Sequence, residues 1–205
     1  MQIQAGWAKS LKLKVPEGLA TRPTAAKIRD AVFNSLQHEI DDAYVLDLFA
    51  GSGAVGIEAA SRGASSVVFV ESQRQAVRCL SENLNKLTAR ASKQGVNIAT
   101  QLVARSVEHF MEDRRYRQNW QADLIFADPP YKDANHYREY LLKGLAALVC
   151  EGALLVFEGI SKDADEAKLH ALLEKFDQGK SCLWRLRKLK TYGETQIEMY
   201  CFESR

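Results

Sequence analysis

A short apolar run, Tyr44-Val45-Leu46-Asp47-Leu48-Phe49, ends in Ala50-Gly51-Ser52-Gly53 and is followed at once by a helical pattern over residues 54–62. Strand, glycine turn and helix form the opening unit of an open parallel sheet, because parallel neighbours need a long crossover, usually a helix. The alternation continues with strands at 66–70, 97–103, 122–127 and 153–158, separated by helices at about 73–91, within 106–116 and at 135–149. Pro129-Pro130 stops the fourth strand, since proline donates no ladder hydrogen bond. Five such strands predict an α/β fold with a parallel sheet covered on both faces and a ligand crevice at the carboxyl ends of the strands.

Both ends depart from the alternation. Ahead of it, residues 24–37 place Ile28, Ala31, Val32, Ser35 and Leu36 at helical spacing, with Thr24 able to cap the start. Behind it, a helix at about 163–175 precedes two apolar runs, 182–189 and 195–202, flanking a turn at 190–194; this β-hairpin should end the sheet antiparallel. Residues 88–95 read as a helix end or an exposed loop. No composition shift divides the chain, so residues 1–205 are expected to form one domain, with 1–40 as a basic extension, a β-rich lead plus a helix, packed on it.

With 46% hydrophobic and 26% charged residues, the composition excludes a largely disordered chain. No apolar run approaches the about 20 residues that span a bilayer, and the first residues lack a secretory apolar stretch, so the expectation is a cytoplasmic protein with no membrane partner. Cys79, Cys150, Cys182 and Cys201 stand far apart without ligand spacing; reduced thiols are expected, and no metal. A net charge of +2 is too small to imply nucleic acid. Two local basic runs stand out, one of Lys9, Lys12, Lys14, Arg22, Lys27 and Arg29, the other of Arg185, Arg187, Lys188 and Lys190. Each reads equally as a solvated face.

Glycines at a strand-to-helix turn let backbone approach a ligand, and the helix start offers free N–H groups. Gly51-Ser52-Gly53-Ala54-Val55-Gly56 also fits the dinucleotide fingerprint, so NAD and FAD, or tight packing alone, compete on the glycines. Asp47 favours a ligand with a cationic amino-acid group over a pyrophosphate; its bland alternative is a loop-bonding carboxylate. Glu71, about 20 residues beyond the glycine turn, suits ribose hydroxyls, or is a solvated strand-end residue. Ser106-Val107, after the third strand, lies where an adenine ring would be recognised, although Ser106 can equally cap a helix.

Asp128-Pro129-Pro130-Tyr131 directly follows the fourth strand. A base amino group is a poor nucleophile because its lone pair is delocalised into the ring. Acceptors on both of its N–H groups favour a more tetrahedral nitrogen, and Asp128 and the Pro129 carbonyl can supply them, held rigid by the fixed φ of proline. Tyr131 offers a flat surface on which an extruded base can stack. The alternative is a plain turn with a buried tyrosine.

The chain resembles the bacterial small-subunit ribosomal RNA guanine-N2 methyltransferases of the RsmD type over nearly its whole length. The resemblance rests on Gly18-Leu19-Ala20-Thr21-Arg22-Pro23-Thr24 with Lys27, Arg29 and Val32-Phe33-Asn34, on residues 46–53 and 128–131, and on Tyr192-Gly193-Glu194-Thr195. Gly6-Trp7 and Leu13 resemble the family's start. The resemblance implies a Rossmann-like class I methyltransferase fold, a mostly parallel seven-stranded sheet with an antiparallel C-terminal hairpin strand. It also implies S-adenosylmethionine as methyl donor and 16S ribosomal RNA as partner, within a small-subunit particle, with the enzyme a monomer. The cofactor set is then Asp47, Phe49, Ala50, Gly51, Ser52, Gly53, Glu71, Ser106, Val107 and Asp128. Asp128, Pro129, Pro130 and Tyr131 would be catalytic, and Arg22, Pro23, Thr24 and Tyr131 would hold the RNA. Ser106-Val107 stands where the family commonly has Asp or Asn before Ala. Two other functions compete: a DNA adenine-N6 or other base amino-methyltransferase, and a non-catalytic Rossmann module that binds RNA or a nucleotide.

Overall fold

The structure, a computed structural model, describes residues 1–16, 23–119, 121–162, 165–177 and 182–204. Its strands are β1 (Tyr44–Leu48), β2 (Ser66–Val70), β3 (Ala99–Val103), β4 (Ala122–Ala127), β5 (Val149–Ile160), β6 (Cys182–Tyr192) and β7 (Thr195–Ser204). They make a seven-stranded mixed sheet in the order β3-β2-β1-β4-β5-β7-β6. The chain divides into two compact units, Met1–Phe110 and Met111–Arg205. Among the described residues no helix is long and apolar enough to cross a membrane.

The first unit contains α1 (Pro23–Ser35), α2 (Ala54–Ser61) and α3 (Arg74–Gln94) with β1, β2 and β3, which pair parallel in register from Tyr44↔Ser66 and Ser66↔Ala99. β1 and β2 are buried beyond their first residue, as expected of strands covered on both faces. α2 is buried along most of its length, and Gly56 lets it lie close on the sheet: a Cβ there would stand 2.3 Å from Phe69 Cε1. The fully buried Glu58 of α2 accepts from the Gln4 and Ala5 N–H groups at 2.8 and 3.0 Å, and Trp7 Nε1 donates to the Ala60 carbonyl. These bonds stitch the N-terminal lead to α2. Among the described residues of the lead, the strand-like pairing is one antiparallel bridge, Gln2 to Lys12. The 88–95 segment continues α3 to Gln94, and Gly95 ends it in the left-handed conformation at φ 66°. The Thr24 cap lies outside the described side chains.

In the second unit the helical stretch after β3 is broken. α4 (Val107–Glu112), which begins in the first unit, stops, and α5 (Arg114–Asn119) restarts because the Asp113 carboxylate accepts from the Arg115 N–H at 3.0 Å, capping a new helix. β4 pairs parallel with β5, with Ala127 opposite Phe157. β5 begins at Val149, so α6 (Ala134–Gly144) is shorter than expected and a 3-10 turn, Leu145–Ala147, fills the gap. α7 (Glu166–Asp177) starts where Asp165 accepts from the Lys168 N–H at 2.9 Å. The hairpin inserts β7 antiparallel beside β5, from Ile160↔Thr195 to Leu154↔Cys201, and leaves β6 at the edge. Its turn narrows to Gly193-Glu194, with Gly193 at φ 64°, so both strands run longer than the sequence suggested.

Candidate active site

The first unit builds a glycine loop. Beyond β1 the backbone turns left-handed at Phe49, φ 58°, a conformation an aromatic residue rarely adopts and one that concentrates at functional loops. The Ala50 N–H donates to the Val70 carbonyl at 3.1 Å and the Gly53 N–H to the Ala50 carbonyl at 2.7 Å. Gly51 and Gly53 both have positive φ, 57° and 77°, yet they do different work. A Cβ on Gly53 would stand 2.3 Å from Leu80 Cδ1, whereas one on Gly51 would meet nothing closer than the Phe49 carbonyl at 3.9 Å. Gly53 is needed for packing, and Gly51 faces open space.

Asp47 and Glu71 brace this loop. Asp47 Oδ2 accepts from the Gly56 N–H at 2.9 Å. Burial pushes the Asp47 carboxyl up to about 8; the Gly56 N–H opposes the shift and the Glu71 carboxylate adds to it. Glu71 accepts from the Gly51 N–H at 2.8 Å with one oxygen, and from the Ser72 and Gln73 N–H groups at 2.8 and 2.7 Å with the other. It is buried, so the solvated strand-end alternative falls away. A carboxylate has about four lone-pair sites, so one remains for a hydroxyl donor. Ser52 is buried and its carbonyl accepts from Asn83 Nδ2. Ser106 caps α4, its hydroxyl facing the His109 N–H at 3.4 Å and His109 Nδ1 at 3.0 Å, and Val107 is buried behind it.

The second unit builds the proline turn. β4 is buried apart from the half-buried Asp123; beyond it Asp128 is exposed, Pro129 buried and Pro130 exposed. Pro130, at φ −53° and ψ 128°, leads into the 3-10 turn Tyr131–Asp133, and its carbonyl accepts from the Asp133 N–H at 2.9 Å. Tyr131 is 46% exposed, which removes the buried-tyrosine alternative. Its hydroxyl donates to Glu158 Oε1 at 3.2 Å and is also hydrogen-bonded with the Thr195 side chain. Partial burial raises the Tyr131 phenol above its usual range; the Thr195 bond opposes this and the Glu158 and Asp128 carboxylates reinforce it. Burial likewise raises the Glu158 carboxyl, opposed by the Tyr131 hydrogen bond.

Beside this turn lies a buried polar cluster. Arg138 of α6 donates to both Glu198 oxygens at 2.7 and 2.8 Å, Gln196 Nε2 donates to Glu198 Oε1 at 3.0 Å, and the Arg138 guanidinium sits 5.1 Å above the Phe157 ring.

Of the expected residues, Asp47, Phe49, Ala50, Gly51, Ser52, Gly53 and Glu71 come together in one loop, with Ser106 and Val107 at the start of α4 in the same unit. Asp128, Pro129, Pro130 and Tyr131 form the turn of the other. Arg22 lies outside the described residues, and Pro23 and Thr24 open α1 with side chains outside them. Asn83, Glu158 and Thr195 were not among the expected site residues. For Glu158 the available signal was a carboxylate at the end of an apolar strand, and for Thr195 its place in the Tyr192-Gly193-Glu194-Thr195 motif.

The family described as conserved hypothetical protein 95 matches residues 1–201. The chain is 34% identical over 202 residues to a provisional rRNA methyltransferase, YlbH, of Bacillus subtilis (strain 168), covering 98% of both chains. It is 30% identical over 204 residues to ribosomal RNA small subunit methyltransferase D of Escherichia coli (strain K12), covering 98% of this chain and 89% of that one. The solved structure of Escherichia coli yhhF, a provisional methyltransferase, matches with a TM-score of 0.78 at 27% identity, covering 100% of this chain and 99% of that one. The chain belongs to the RsmD-type family of small-subunit ribosomal RNA methyltransferases.

Proposed function

We propose that this chain transfers a methyl group from S-adenosylmethionine to the exocyclic N2 amino group of a guanine in 16S ribosomal RNA, acting as one domain on RNA in a small-subunit particle. The observation that favours this reading is the proline turn: a carboxylate and a proline carbonyl at the end of a buried strand, next to an exposed aromatic ring whose hydroxyl is tied down. The names of the relatives, both ribosomal RNA methyltransferases, support the RNA substrate.

The glycine loop fits the methyl donor chemically. Open space over Gly51 admits a ligand against the backbone, and the Asp47 carboxyl, held protonated by burial, would give up its proton to pair with a cationic group such as the amino-acid end of the donor. Glu71 retains an acceptor for a ribose hydroxyl, Phe49, Ala50, Ser52 and Gly53 shape the loop, and Ser106-Val107 would border the adenine. When bound, the donor supplies a methyl carbon activated by a sulfonium.

On the substrate side, Tyr131 stacks the extruded guanine, and the Asp128 carboxylate and Pro129 carbonyl accept its two amino hydrogens, drawing the nitrogen toward a tetrahedral, nucleophilic form. As the N–C bond forms and the C–S pair returns to sulfur, nitrogen loses one proton, and Asp128 is the acceptor at hand. Most of the rate comes from placing donor and acceptor in line. Arg22, Pro23, Thr24 and the basic lead hold the RNA, with lysine and arginine on phosphates.

The test is transfer of labelled methyl to unmodified 30S subunits, naked 16S RNA and duplex DNA, followed by nucleoside identification. N2-methylguanosine from ribosomal RNA is the expected product; N6-methyladenine from DNA would overturn the reading.

A further inference from the structure

β4 and β5 run parallel with Ala127 opposite Phe157, so the next step along each strand bears Asp128 and Glu158. Neighbouring strands lie about 4.8 Å apart, so two side chains at matched positions, Asp128 just past the end of β4 and Glu158 on β5, can converge on one base edge. Glu158 is half-buried, and among the described residues its one side-chain partner is Tyr131, which occupies Oε1. Holding a tyrosine hydroxyl needs only one neutral acceptor. A carboxyl group kept partly out of water, with no cation bound to it among the described residues, brings a second oxygen that this bond does not use.

Guanine presents two donors side by side on its Watson–Crick edge, N1–H and the N2 amino group. Adenine and 2-aminopurine present a lone pair at N1 instead. A base stacked on the Tyr131 ring can turn that edge toward Glu158, which accepts from the Tyr131 hydroxyl, and toward Asp128, whose charge also acts on that phenol. We propose that Glu158 is the specificity-determining residue for guanine, its second oxygen accepting N1–H while Asp128 and Pro129 hold the N2 amino group. The inference rests on the function proposed above and adds the residue that reads the base. A lone pair at N1 would face the carboxylate with no proton between them, and a site built to receive a donor rejects the analogue lacking it strongly.

The experiment uses 30S subunits reconstituted with ligated 16S RNA that carries either guanosine or 2-aminopurine at the position the wild type methylates. Both bases have the N2 amino group; they differ at N1 and in the C6 oxygen that 2-aminopurine lacks, so the contact at N1 is read from how the ratio changes in Glu158→Gln and not from the wild-type ratio alone. Single-turnover transfer is measured for wild type, Glu158→Gln and Tyr131→Phe. Wild type is expected to prefer guanosine by about 100-fold or more. Glu158→Gln, whose amide can donate to the N1 lone pair, is expected to narrow that ratio at least tenfold with unchanged affinity for S-adenosylmethionine. Tyr131→Phe is expected to slow both substrates and leave the ratio as it is. An unchanged ratio in Glu158→Gln overturns the inference, as does an equal loss of ratio in Tyr131→Phe, which would reduce Glu158 to a support for the ring. If wild type forms no N2-methylguanosine at all, the underlying function fails, and that result is distinct from either of these.

Discussion

The Asn83 side chain, fully buried on α3, donates to the Ser52 carbonyl of the glycine loop at 2.9 Å. It also donates to the Lys14 carbonyl at 2.9 Å and accepts from the Lys14 N–H at 2.8 Å. One amide therefore ties the basic N-terminal lead to the loop assigned to the methyl donor. Asn83→Ala leaves the Ser52 carbonyl and both Lys14 backbone groups without these partners, and each buried polar group left unmade costs about 1 to 3 kcal/mol. The expected result is a loss of about 3 kcal/mol in urea unfolding together with weaker S-adenosylmethionine binding; a variant as stable as wild type would show that the bridge does not matter.

The two loop glycines should separate folding from ligand binding. Gly53→Ala drives a Cβ to 2.3 Å from Leu80 Cδ1 at a left-handed position, so it should lower the melting temperature clearly. Gly51→Ala meets open space and carries only the left-handed backbone cost of about 1 kcal/mol. It should fold and yet bind S-adenosylmethionine at least tenfold more weakly by calorimetry. Equal affinities for Gly51→Ala and wild type would mean that no ligand lies against that glycine.

Much of the fold was legible because hydrophobic period and glycine punctuation agree locally: β2 and β4 occupy the residues the apolar runs marked. The boundary at Val149 was not, since Leu148-Val149 suits the end of a helix and the start of a buried strand alike. The break at Asp113 depends on a cap that competes with a continuous helical pattern. Within the site, Asp47, Glu71 and Asp128 stand in contiguous motifs. Glu158, Asn83 and Glu198 act through partners 27, 69 and 60 residues away, set by strand register and hairpin insertion that no local pattern encodes.

Asp47 gives the chain a pH signature. Its folded-state value of about 8 lies above the ordinary 3.8, so the native state holds a proton that the unfolded chain has released. This contribution to stability is full at low pH and is lost as pH rises from about 4 through 8. Asp47→Asn, which keeps an oxygen for the Gly56 N–H, should flatten that slope and be more stable than wild type at pH 8. Urea unfolding of both proteins at pH 5 and pH 8 checks the sign; parallel slopes would show that Asp47 is ionised in the fold.

The Arg138–Glu198 pair is almost wholly buried, so removing one partner strands a charge. Arg138→Ala should cost about 3 to 5 kcal/mol, and the double variant Arg138→Met with Glu198→Met should recover much of it, since paired removal leaves no uncompensated charge. A double variant no better than the single one would place the cost in lost packing against Phe157.

The most direct test of the account is single-turnover methyl transfer into unmodified 30S subunits by wild type and Asp128→Ala, with the product nucleoside identified. The account predicts N2-methylguanosine from wild type and a rate lower by about two to three orders of magnitude in the variant, the usual effect of removing a group that stabilises developing charge. An unchanged rate in Asp128→Ala, or a product methylated anywhere other than guanine N2, would contradict it.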